Sequence, residues 1–219
     1  MPELSVEPHH RHLPVIQAEI RRCTRCVDAG YIPTAHPILR GNTTARIMVI
    51  GQAPGVAAAE QPVPYSGATG RTLRAWLARA GFPDDAFHDP DRFYLTSLTK
   101  CFPGKARTGA GDRAPSRREI SLCADHLATE LRLVQPEVIL SLGRLSIEAM
   151  LPSLRGLPLA AIVGTPKLAE PPILHELDTL VLPLPHPSGV SRWLNHPDHR
   201  ARVDAGIAWL AQERERQNW

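Results

Sequence analysis

The fold of this chain is decided by residues 46–55, which read RIMVIGQAPG. The first five form a short apolar run that ends at a glycine, a pattern typical of a strand buried on both faces of a parallel sheet. The GQAPG segment that follows places two glycines and a proline in a tight loop whose backbone amides can face a bound group. The loop contains neither Gly-Lys-Ser/Thr nor GxGxxG, which excludes the two common phosphate-binding loops.

Apolar strands and amphipathic helices alternate along the rest of the chain. Strands are predicted at residues 46–50, 93–98, 137–142 and 179–184. Helices are predicted at residues 14–22, 68–80 and 199–214, with a capped helix at 116–134 and a short helix that ends at residue 150. Strands that alternate with helices predict an α/β fold with a central, mainly parallel, four-stranded sheet covered by helices on both faces.

Length and composition favour one globular unit. The 219 residues are 43% hydrophobic and 21% charged, which is ordinary for a folded domain. We expect a loose N-terminal segment at residues 1–13 and a single domain at residues 14–219. No apolar run is long enough to span a membrane, and the start MPELSVEPHHRHLP lacks the apolar core of a signal peptide. A cytoplasmic location without membrane attachment is therefore expected.

The charge is informative because of the residue type that carries it. The net charge is +3, and the only lysines are Lys100, Lys105 and Lys167, so most basic residues are arginines. The planar guanidinium group suits phosphate because it donates paired hydrogen bonds. An arginine-rich composition is equally typical of a GC-rich genome, so composition alone leaves an anionic partner open.

The chain has four cysteines: Cys23, Cys26, Cys101 and Cys123. A structural disulfide is not expected in a reducing cytoplasm. The Cys-x-x-Cys spacing of the first pair lets two thiolates share one metal, and four thiolates suit a [4Fe–4S] cluster or a structural zinc ion. Spacing does not separate these two, and four unrelated buried cysteines are the remaining alternative. A thioredoxin-type motif is disfavoured because the pair precedes the first strand.

Three loops directly follow predicted strands: residues 51–67, 97–101 and 185–192. Ligands of parallel sheets bind beyond the carboxyl ends of the strands, so we expect these loops to converge on one cleft. Tyr65, in the first loop, can stack on a flat group. His186, in the last loop, can stabilise developing negative charge by donating a hydrogen bond.

Taken together, six motifs resemble the uracil-DNA glycosylase superfamily, most closely its iron–sulfur family-four class, over about residues 15–215. They are the Cys-x-x-Cys pair, IGQAPG, PYSGATG, TSLTKC, ILSLG with the cysteine upstream of it, and HPSGVSR. The resemblance implies a three-layer α/β/α sandwich and a [4Fe–4S] cluster on all four cysteines. It also implies that the chain flips uracil out of DNA and hydrolyses its N-glycosidic bond.

The resemblance also implies roles for individual residues. Tyr65 would stack on uracil, and His186 would donate to uracil O2 as the base departs. The backbone of Gln52 and Ala53 would line the sugar side of the pocket. The loop after the last strand would contact DNA through Ser188, Val190, Ser191 and Arg192. Val190 would be the wedge that fills the gap left by the flipped nucleotide, and Arg192 would bind phosphate.

Two positions depart from the family pattern. Gln52 stands where the family commonly has glutamate and cannot act as a base, although it lies at the catalytic position. The nearest carboxylate, Glu60, is the candidate for positioning water, unless it is only a solvated loop charge. Ser97 stands where an asparagine commonly reads the base. A hydroxyl offers fewer hydrogen bonds than an amide, so we expect the pocket to admit other deaminated bases.

The segment between the third and fourth cysteines is basic and rich in glycine. Lys105, Arg107 and Arg113 are expected to follow the DNA backbone, and the alternative is a disordered, solvated loop. A related subclass crosslinks itself to its product through a histidine in this loop. This loop has no histidine, so no covalent product is expected.

Three other functions stay open from the sequence. The first is a protein of the same fold that binds uracil or abasic DNA without cleaving it. The second is a zinc-stabilised module that binds nucleic acid, and the third, less favoured, is a thioredoxin-like oxidoreductase. Nothing in the sequence indicates an assembly interface, so a monomer acting on DNA is expected.

Overall fold

A computed structural model describes residues 13–107, 111–171, 174, 178–188 and 192–219. The helices in these residues are α1 (Leu13–Arg21), α2 (Arg25–Asp28), α3 (Val56–Glu60), α4 (Ala68–Arg79), α5 (Arg117–Val134), α6 (Arg144–Met150), α7 (Leu159–Ile162) and α8 (Pro197–Gln217). The strands are β1 (Ile47–Gly51), β2 (Phe93–Ser97), β3 (Val138–Leu142), β4 (Lys167–Leu168) and β5 (Leu180–Leu184). Short 3-10 helices lie at Asp84–His88, Pro152–Leu154 and Arg192–Asn195.

The strands form one sheet in the order β2-β1-β3-β5-β4. The first four strands in this order pair in parallel, and β4 pairs antiparallel with β5 at the edge. The prediction of four strands was wrong, because the described part of the chain forms five. The missed strand has only two residues and directly follows Pro166, so it has no hydrophobic period that a sequence pattern could reveal.

The sheet separates two apolar cores. Ile47 and Val49 face a cluster that α4 and α8 complete, whereas Met48 and Ile50 face a cluster that α1, α5 and α6 complete. Alternate residues of one strand point to opposite faces of a sheet, so a strand buried on both sides must be apolar throughout. The α/β prediction, with helices on both faces of a mainly parallel sheet, is confirmed.

The helix ends explain how two elements begin. The side chain of Ser116 accepts the Glu119 backbone N–H, and the Glu119 carboxylate accepts the Ser116 backbone N–H, which is the predicted capping box of α5. The short helix α3 was not predicted, because five residues are too few to show a helical period.

The predicted N-terminal segment lies almost wholly outside the described residues. Its last residue, Leu13, begins α1 and is buried, and the division of the chain at residues 13 and 14 stays a prediction. None of the helices in the described ranges has both the length and the apolar character that crossing a bilayer requires.

Candidate functional site

The loops after β1 and β2 lie side by side at one edge of the sheet. The backbone N–H of Leu98 donates to the Gly51 carbonyl at 2.9 Å, and the N–H of Thr99 donates to the Gln52 carbonyl at 3.2 Å. Parallel pairing therefore continues past the ends of both strands. The predicted convergence of these two loops is present, and the backbone of the GQAPG loop is held in place by the segment after β2.

Tyr65 reaches across the ends of both strands. Its hydroxyl donates to the Thr96 carbonyl at 2.9 Å. A Cβ atom added to Gly51 would lie 2.9 Å from this hydroxyl and 3.6 Å from the Ser97 hydroxyl. Glycine is therefore needed at the end of β1, because the tyrosine side chain occupies the space beside it. The structure brings Tyr65 and Ser97 together, as expected for two faces of one pocket.

The backbone of Tyr65 is strained and tightly packed. Its φ of 56° lies in the left-handed region, which costs an L-residue about 1–2 kcal/mol. A Cβ atom added to Gly70 would lie 1.6 Å from the Tyr65 carbonyl oxygen, so α4 packs directly on this residue. The tyrosine ring meets Phe87 edge-on, with centroids 6.0 Å apart. Burial raises the pKa of Tyr65 well above its ordinary value, so its hydroxyl stays a hydrogen-bond donor.

His186 follows β5 and packs on the glycine that follows β3. A Cβ atom added to Gly143 would lie 3.3 Å from the His186 Cβ atom, and Gly143 has a φ of +82°. Burial lowers the pKa of His186 from its ordinary value of 6.5. At neutral pH the imidazole is therefore uncharged, with one ring N–H available to donate.

The strands next to Tyr65 and His186 share one support. β1 lies beside β3, with Ile50 opposite Ser141. The hydroxyl of Ser146, on α6, donates to the Ile50 carbonyl at 2.7 Å and lies 2.7 Å from the Ser141 hydroxyl. This buried hydroxyl pair ties α6 to the neighbouring strands β1 and β3.

The other residues predicted for the first loop lie at different depths. Gln52 and Ala53 are half-buried, and Glu60 is exposed at the last residue of α3. The hydroxyl of Ser66 is buried, and no hydrogen-bond partner for it lies among the described residues. Ser66 directly follows Tyr65 in the chain and was not among the predicted site residues.

The carboxylate of Asp112 was also missed by the sequence analysis. Asp112 accepts the Val56 backbone N–H at 3.1 Å and the Lys105 ammonium group at 2.9 Å. Its Oδ2 atom would lie 3.1 Å from a Cβ atom at Gly55. Asp112 therefore satisfies the first turn of α3 from 56 positions away in the chain. The one available signal was that no serine, threonine, aspartate or asparagine precedes α3 to cap it.

The basic loop forms a small hairpin. The Ala106 N–H donates to the Gly111 carbonyl, and the Arg113 N–H donates to the Gly104 carbonyl, each at 3.0 Å. The three predicted phosphate ligands differ in their surroundings. Arg107 is exposed and Lys105 is about half exposed. The Arg113 guanidinium instead makes two 2.7 Å hydrogen bonds to the Glu119 carboxylate and one of 3.2 Å to the Tyr31 carbonyl.

The predicted DNA-contacting tip is only partly described. Ser188 is half-buried, Val190 and Ser191 lie outside the described residues, and Arg192 begins a 3-10 helix. Directly after it, the Trp193 ring stacks on the His199 ring with centroids 4.1 Å apart and planes 9° apart. A 2.8 Å hydrogen bond joins His199 Nδ1 to the Trp193 carbonyl. This stack anchors the return of the tip onto the start of α8.

The cysteines come together on the α5 side of the sheet. The first pair lies after α1 and in α2, the third follows β2, and the fourth lies in α5. The Arg25 side chain joins α2 to α5 through a 3.0 Å hydrogen bond to the Leu122 carbonyl. One cavity is lined by all four: Cys23, Cys26, Cys101 and Cys123. Cysteines from three separate parts of the sequence therefore surround one space.

Burial disfavours the charged form of the thiols that line this cavity. Burial is the main cause that raises the pKa of Cys26 to about 11 and that of Cys101 to about 12, and the neighbouring cysteines add to it. Burial also raises the pKa of Cys123. Within the described ranges, no three or more histidine, cysteine, aspartate or glutamate side chains are grouped so as to hold a metal ion. The cysteines surround a space that is also lined by Ile32 and Leu122.

Comparisons with known proteins agree with this architecture. The family model of the uracil DNA glycosylase superfamily matches residues 39–211. A Type-4 uracil-DNA glycosylase of Archaeoglobus fulgidus is 30% identical over 137 residues, one of Pyrobaculum aerophilum is 30% identical over 133, and one of Saccharolobus solfataricus is 31% identical over 135. These alignments cover 60–61% of this chain and 56–61% of the relatives, so the chain spans about 60% of the length of the curated relatives that it matches.

Proposed function

The chain belongs to the uracil DNA glycosylase superfamily. We propose that it acts as a monomer and removes uracil from DNA by hydrolysing the N-glycosidic bond, which leaves an abasic site. The curated relatives are Type-4 uracil-DNA glycosylases. The observation that carries the proposal is the placement of two groups beyond the carboxyl ends of parallel strands: an aromatic ring packed against the ends of β1 and β2, and a neutral histidine that follows β5 and lies beside Gly143.

Base recognition is assigned to the Tyr65 side of the cleft. A glycosylase must turn the target base out of the duplex, which costs a few kcal/mol. Stacking of the base on the Tyr65 ring offsets about 1–3 kcal/mol of that cost. The Ser97 hydroxyl faces the base edge with one donor and two acceptor positions, which is the basis for expecting hypoxanthine or xanthine as further substrates.

Departure of the base is assigned to His186. As the glycosidic bond breaks, negative charge develops on the uracil oxygen, and a preorganised donor stabilises that charge most strongly in a site that excludes water. Because burial lowers its pKa, His186 is uncharged at neutral pH and has one ring N–H that can donate a hydrogen bond to the departing base. The remote substrate phosphates would stabilise the developing positive charge on the sugar.

Water activation does not need a strong base in this scheme. The Gln52 amide oxygen can accept a hydrogen bond from water but cannot take its proton at neutral pH. We therefore assign Gln52 and the Ala53 backbone to water and sugar positioning. Glu60 is the second candidate for this role, and its exposed position on α3 requires the water to lie near the rim of the cleft.

DNA binding is assigned to the two basic segments that flank the cleft. One is the tip with Ser188, Val190, Ser191 and Arg192. The other is the hairpin with Lys105 and Arg107, whose side chains are exposed or half exposed. Arg113 belongs to the same hairpin, and its bonds to Glu119 favour a role in holding the hairpin in place.

The four cysteines fit a [4Fe–4S] cluster. In such a cluster each thiolate binds a different iron, so its ligands surround a space, and all four cysteines line one cavity. A bound cluster would supply a structural crosslink between the N-terminal helices, the end of β2 and α5. Hydrolysis of an N-glycosidic bond needs no electron transfer, so the proposed reaction uses none.

The test is base release from matched oligonucleotides that carry uracil, hypoxanthine, xanthine or no lesion. Uracil release that is lost in His186→Ala and retained in Lys167→Met, an edge-strand control, supports the proposal. Metal analysis of the same preparation distinguishes iron with acid-labile sulfide from zinc. Tight binding to uracil DNA or abasic DNA without release of any base would replace the proposal with the non-catalytic binding function.

A further inference from the structure

Lys100 is a lysine that the fold buries almost completely, with 2% of its side chain exposed. Its ammonium group lies 2.6 Å from the Glu130 carboxylate. It also donates to the Thr96 hydroxyl at 2.8 Å and to the Ser97 carbonyl at 2.6 Å. A buried ammonium group is tolerated only when its charge and its three donors are satisfied, and here these three partners satisfy them.

Glu130, on α5, completes a closed polar network. Its side chain is fully buried, and it accepts the Tyr94 hydroxyl at 3.1 Å and the Thr96 hydroxyl at 3.1–3.2 Å. The Gln17 amide extends the network from α1, with 2.8 Å to the Gly41 carbonyl and 3.4 Å to the Tyr94 hydroxyl. An ion pair in such a place often contributes little net stability relative to apolar residues, so its contacts need an explanation other than stability.

The contacts fix the peptide that follows Ser97. Lys100 holds the carbonyl of this peptide, and the Gly51 carbonyl holds its N–H, which belongs to Leu98, at 2.9 Å. These two hydrogen bonds restrain rotation of the peptide plane and hence the backbone at Ser97, whose side chain is buried. The Tyr65 hydroxyl holds the preceding carbonyl, that of Thr96, and the Ser97 and Tyr65 hydroxyls both lie beside Gly51.

The same lysine touches the cysteine cavity. Lys100 is one of the residues that line the cavity, together with Cys123 and with Cys101, the next residue in the chain. The same residue therefore borders two proposed cluster ligands and contacts the end of β2 through its side chain.

We propose that Lys100 is a positioning residue that orients the Thr96–Ser97 end of β2 for reading the base, and that it links this edge of the cleft to the cysteine cavity. The part of this inference that concerns recognition of the base rests on the proposed function. The clamp on the peptide after Ser97 stands on geometry alone, so the two can fail separately.

The test uses Lys100→Met/Glu130→Gln in the full-length protein. Methionine fills the space of the lysine stem, and glutamine keeps an acceptor for the Tyr94 and Thr96 hydroxyls, so the network loses its charges and the bond to Ser97 but little volume. Lys167→Met is the matched control. Three quantities are measured: amide hydrogen exchange at Leu98, binding of free uracil, and binding of DNA that contains an abasic site.

Removal of a charge-assisted hydrogen bond is expected to weaken free uracil binding about ten- to hundredfold and to accelerate exchange at Leu98 by a similar factor. Affinity for abasic DNA, which has no base to read, is expected to change less than about twofold. The visible absorbance of the cysteine site and its iron content report whether the cavity stays intact. A parallel loss of uracil binding, abasic DNA binding and iron would indicate a merely structural role and overturn the proposal.

Unchanged exchange at Leu98 would also overturn the proposal, whatever the uracil result. If the unaltered protein releases no uracil, the proposed function fails, and exchange at Leu98 still decides whether Lys100 clamps the peptide. Faster exchange with unchanged uracil binding would contradict the part of the proposal that concerns reading the base. If the exchange change occurs in Lys167→Met as well, the clamp is not specific to Lys100 and the proposal falls.

Discussion

The cleft and the cysteine cavity lie on either side of one five-residue segment, 97–101, and the fold builds them by different means. The cavity is made by side-chain type, since four thiols from separate elements surround one space. The cleft is made by backbone geometry, since Gly51, Gly70 and Gly143 leave the room that Tyr65 and His186 occupy.

This difference separates stability from chemistry. Substitutions in the cavity alter side chains at which three chain segments meet, so they should act first on folding. Substitutions of cleft side chains remove groups that rest on an intact backbone, so they should act first on the proposed reaction. Each prediction below tests this separation.

The largest effect is expected for His186→Ala. Loss of one donor to a developing anion lowers the rate of base release about 100- to 1,000-fold, while the unfolding temperature changes little because the side chain is only half-buried. Single-turnover base release and thermal unfolding measure the two quantities. A rate loss below about tenfold would remove His186 from the proposed mechanism, and a large fall in the unfolding temperature would break the separation.

Cys101→Ser should show the opposite pattern. Loss of one ligand is expected to abolish the visible absorbance of the proposed cluster and to lower the free energy of unfolding by at least about 3 kcal/mol, which corresponds to roughly 6–12 °C. Iron content, absorbance and thermal unfolding provide the measurements, with Lys167→Met as control. Full stability with no iron bound would show that the cavity is an ordinary part of the core.

Tyr65 allows ring and hydroxyl to be separated. Tyr65→Ala removes the stacking surface and should weaken the proposed base binding about 5- to 150-fold. Tyr65→Phe keeps the ring and loses only the hydrogen bond to the Thr96 carbonyl, so a change of about two- to tenfold is expected. Equal effects of the two substitutions on free uracil binding would show that the hydroxyl, and not the ring, determines recognition.

Residues with recognisable local motifs could be predicted from the sequence, whereas residues that act through contacts between distant elements could not. The cysteine set, Tyr65 and His186 could be predicted as site residues because each residue type carries recognisable chemistry in a recognisable motif, and their roles stay predictions. Lys100, Glu130 and Asp112 were missed as site residues because their roles depend on contacts between elements far apart in the chain. No local pattern shows that a lysine before a cysteine is buried on a glutamate 30 positions later.

The strands and long helices were predicted for a related reason. The buried strands, whose side chains are mostly apolar, and the capping box of α5 are local signals. Strand β4 depends on its pairing with β5 alone. The two-residue strand and the five-residue helix α3 are shorter than the period that would reveal them, so only the assembled sheet and the distant Asp112 carboxylate define them.

Lowered histidine pKa values predict a loss of stability in mild acid. Burial holds the pKa of His186 below 6.5, and it does the same for His88 and His126, with nearby cations adding to the effect. Below pH 6.5 the unfolded chain therefore binds more protons than the folded chain, so the free energy of unfolding decreases as pH falls toward the folded-state pKa values. Denaturant unfolding between pH 7.5 and pH 5.5 measures this slope. His186→Asn should flatten it in part, and an unaltered slope would assign it to the other groups.

The smallest effects are expected in the basic hairpin, where Arg107 and Arg113 repeat the comparison within one loop. Arg107 is exposed, so Arg107→Ala should weaken DNA binding uniformly across sequences and reduce the salt dependence of the affinity by about one unit of slope. The Arg113 guanidinium is bound to Glu119, so Arg113→Ala should lower the unfolding temperature and leave the salt slope nearly unchanged. The affinity of each variant for lesion-free duplex DNA, measured at several salt concentrations, gives the two salt slopes. If the Arg113 substitution lowers the slope as much as the Arg107 substitution, the Arg113 guanidinium exchanges Glu119 for phosphate when DNA binds. Both arginines of the hairpin then contact DNA.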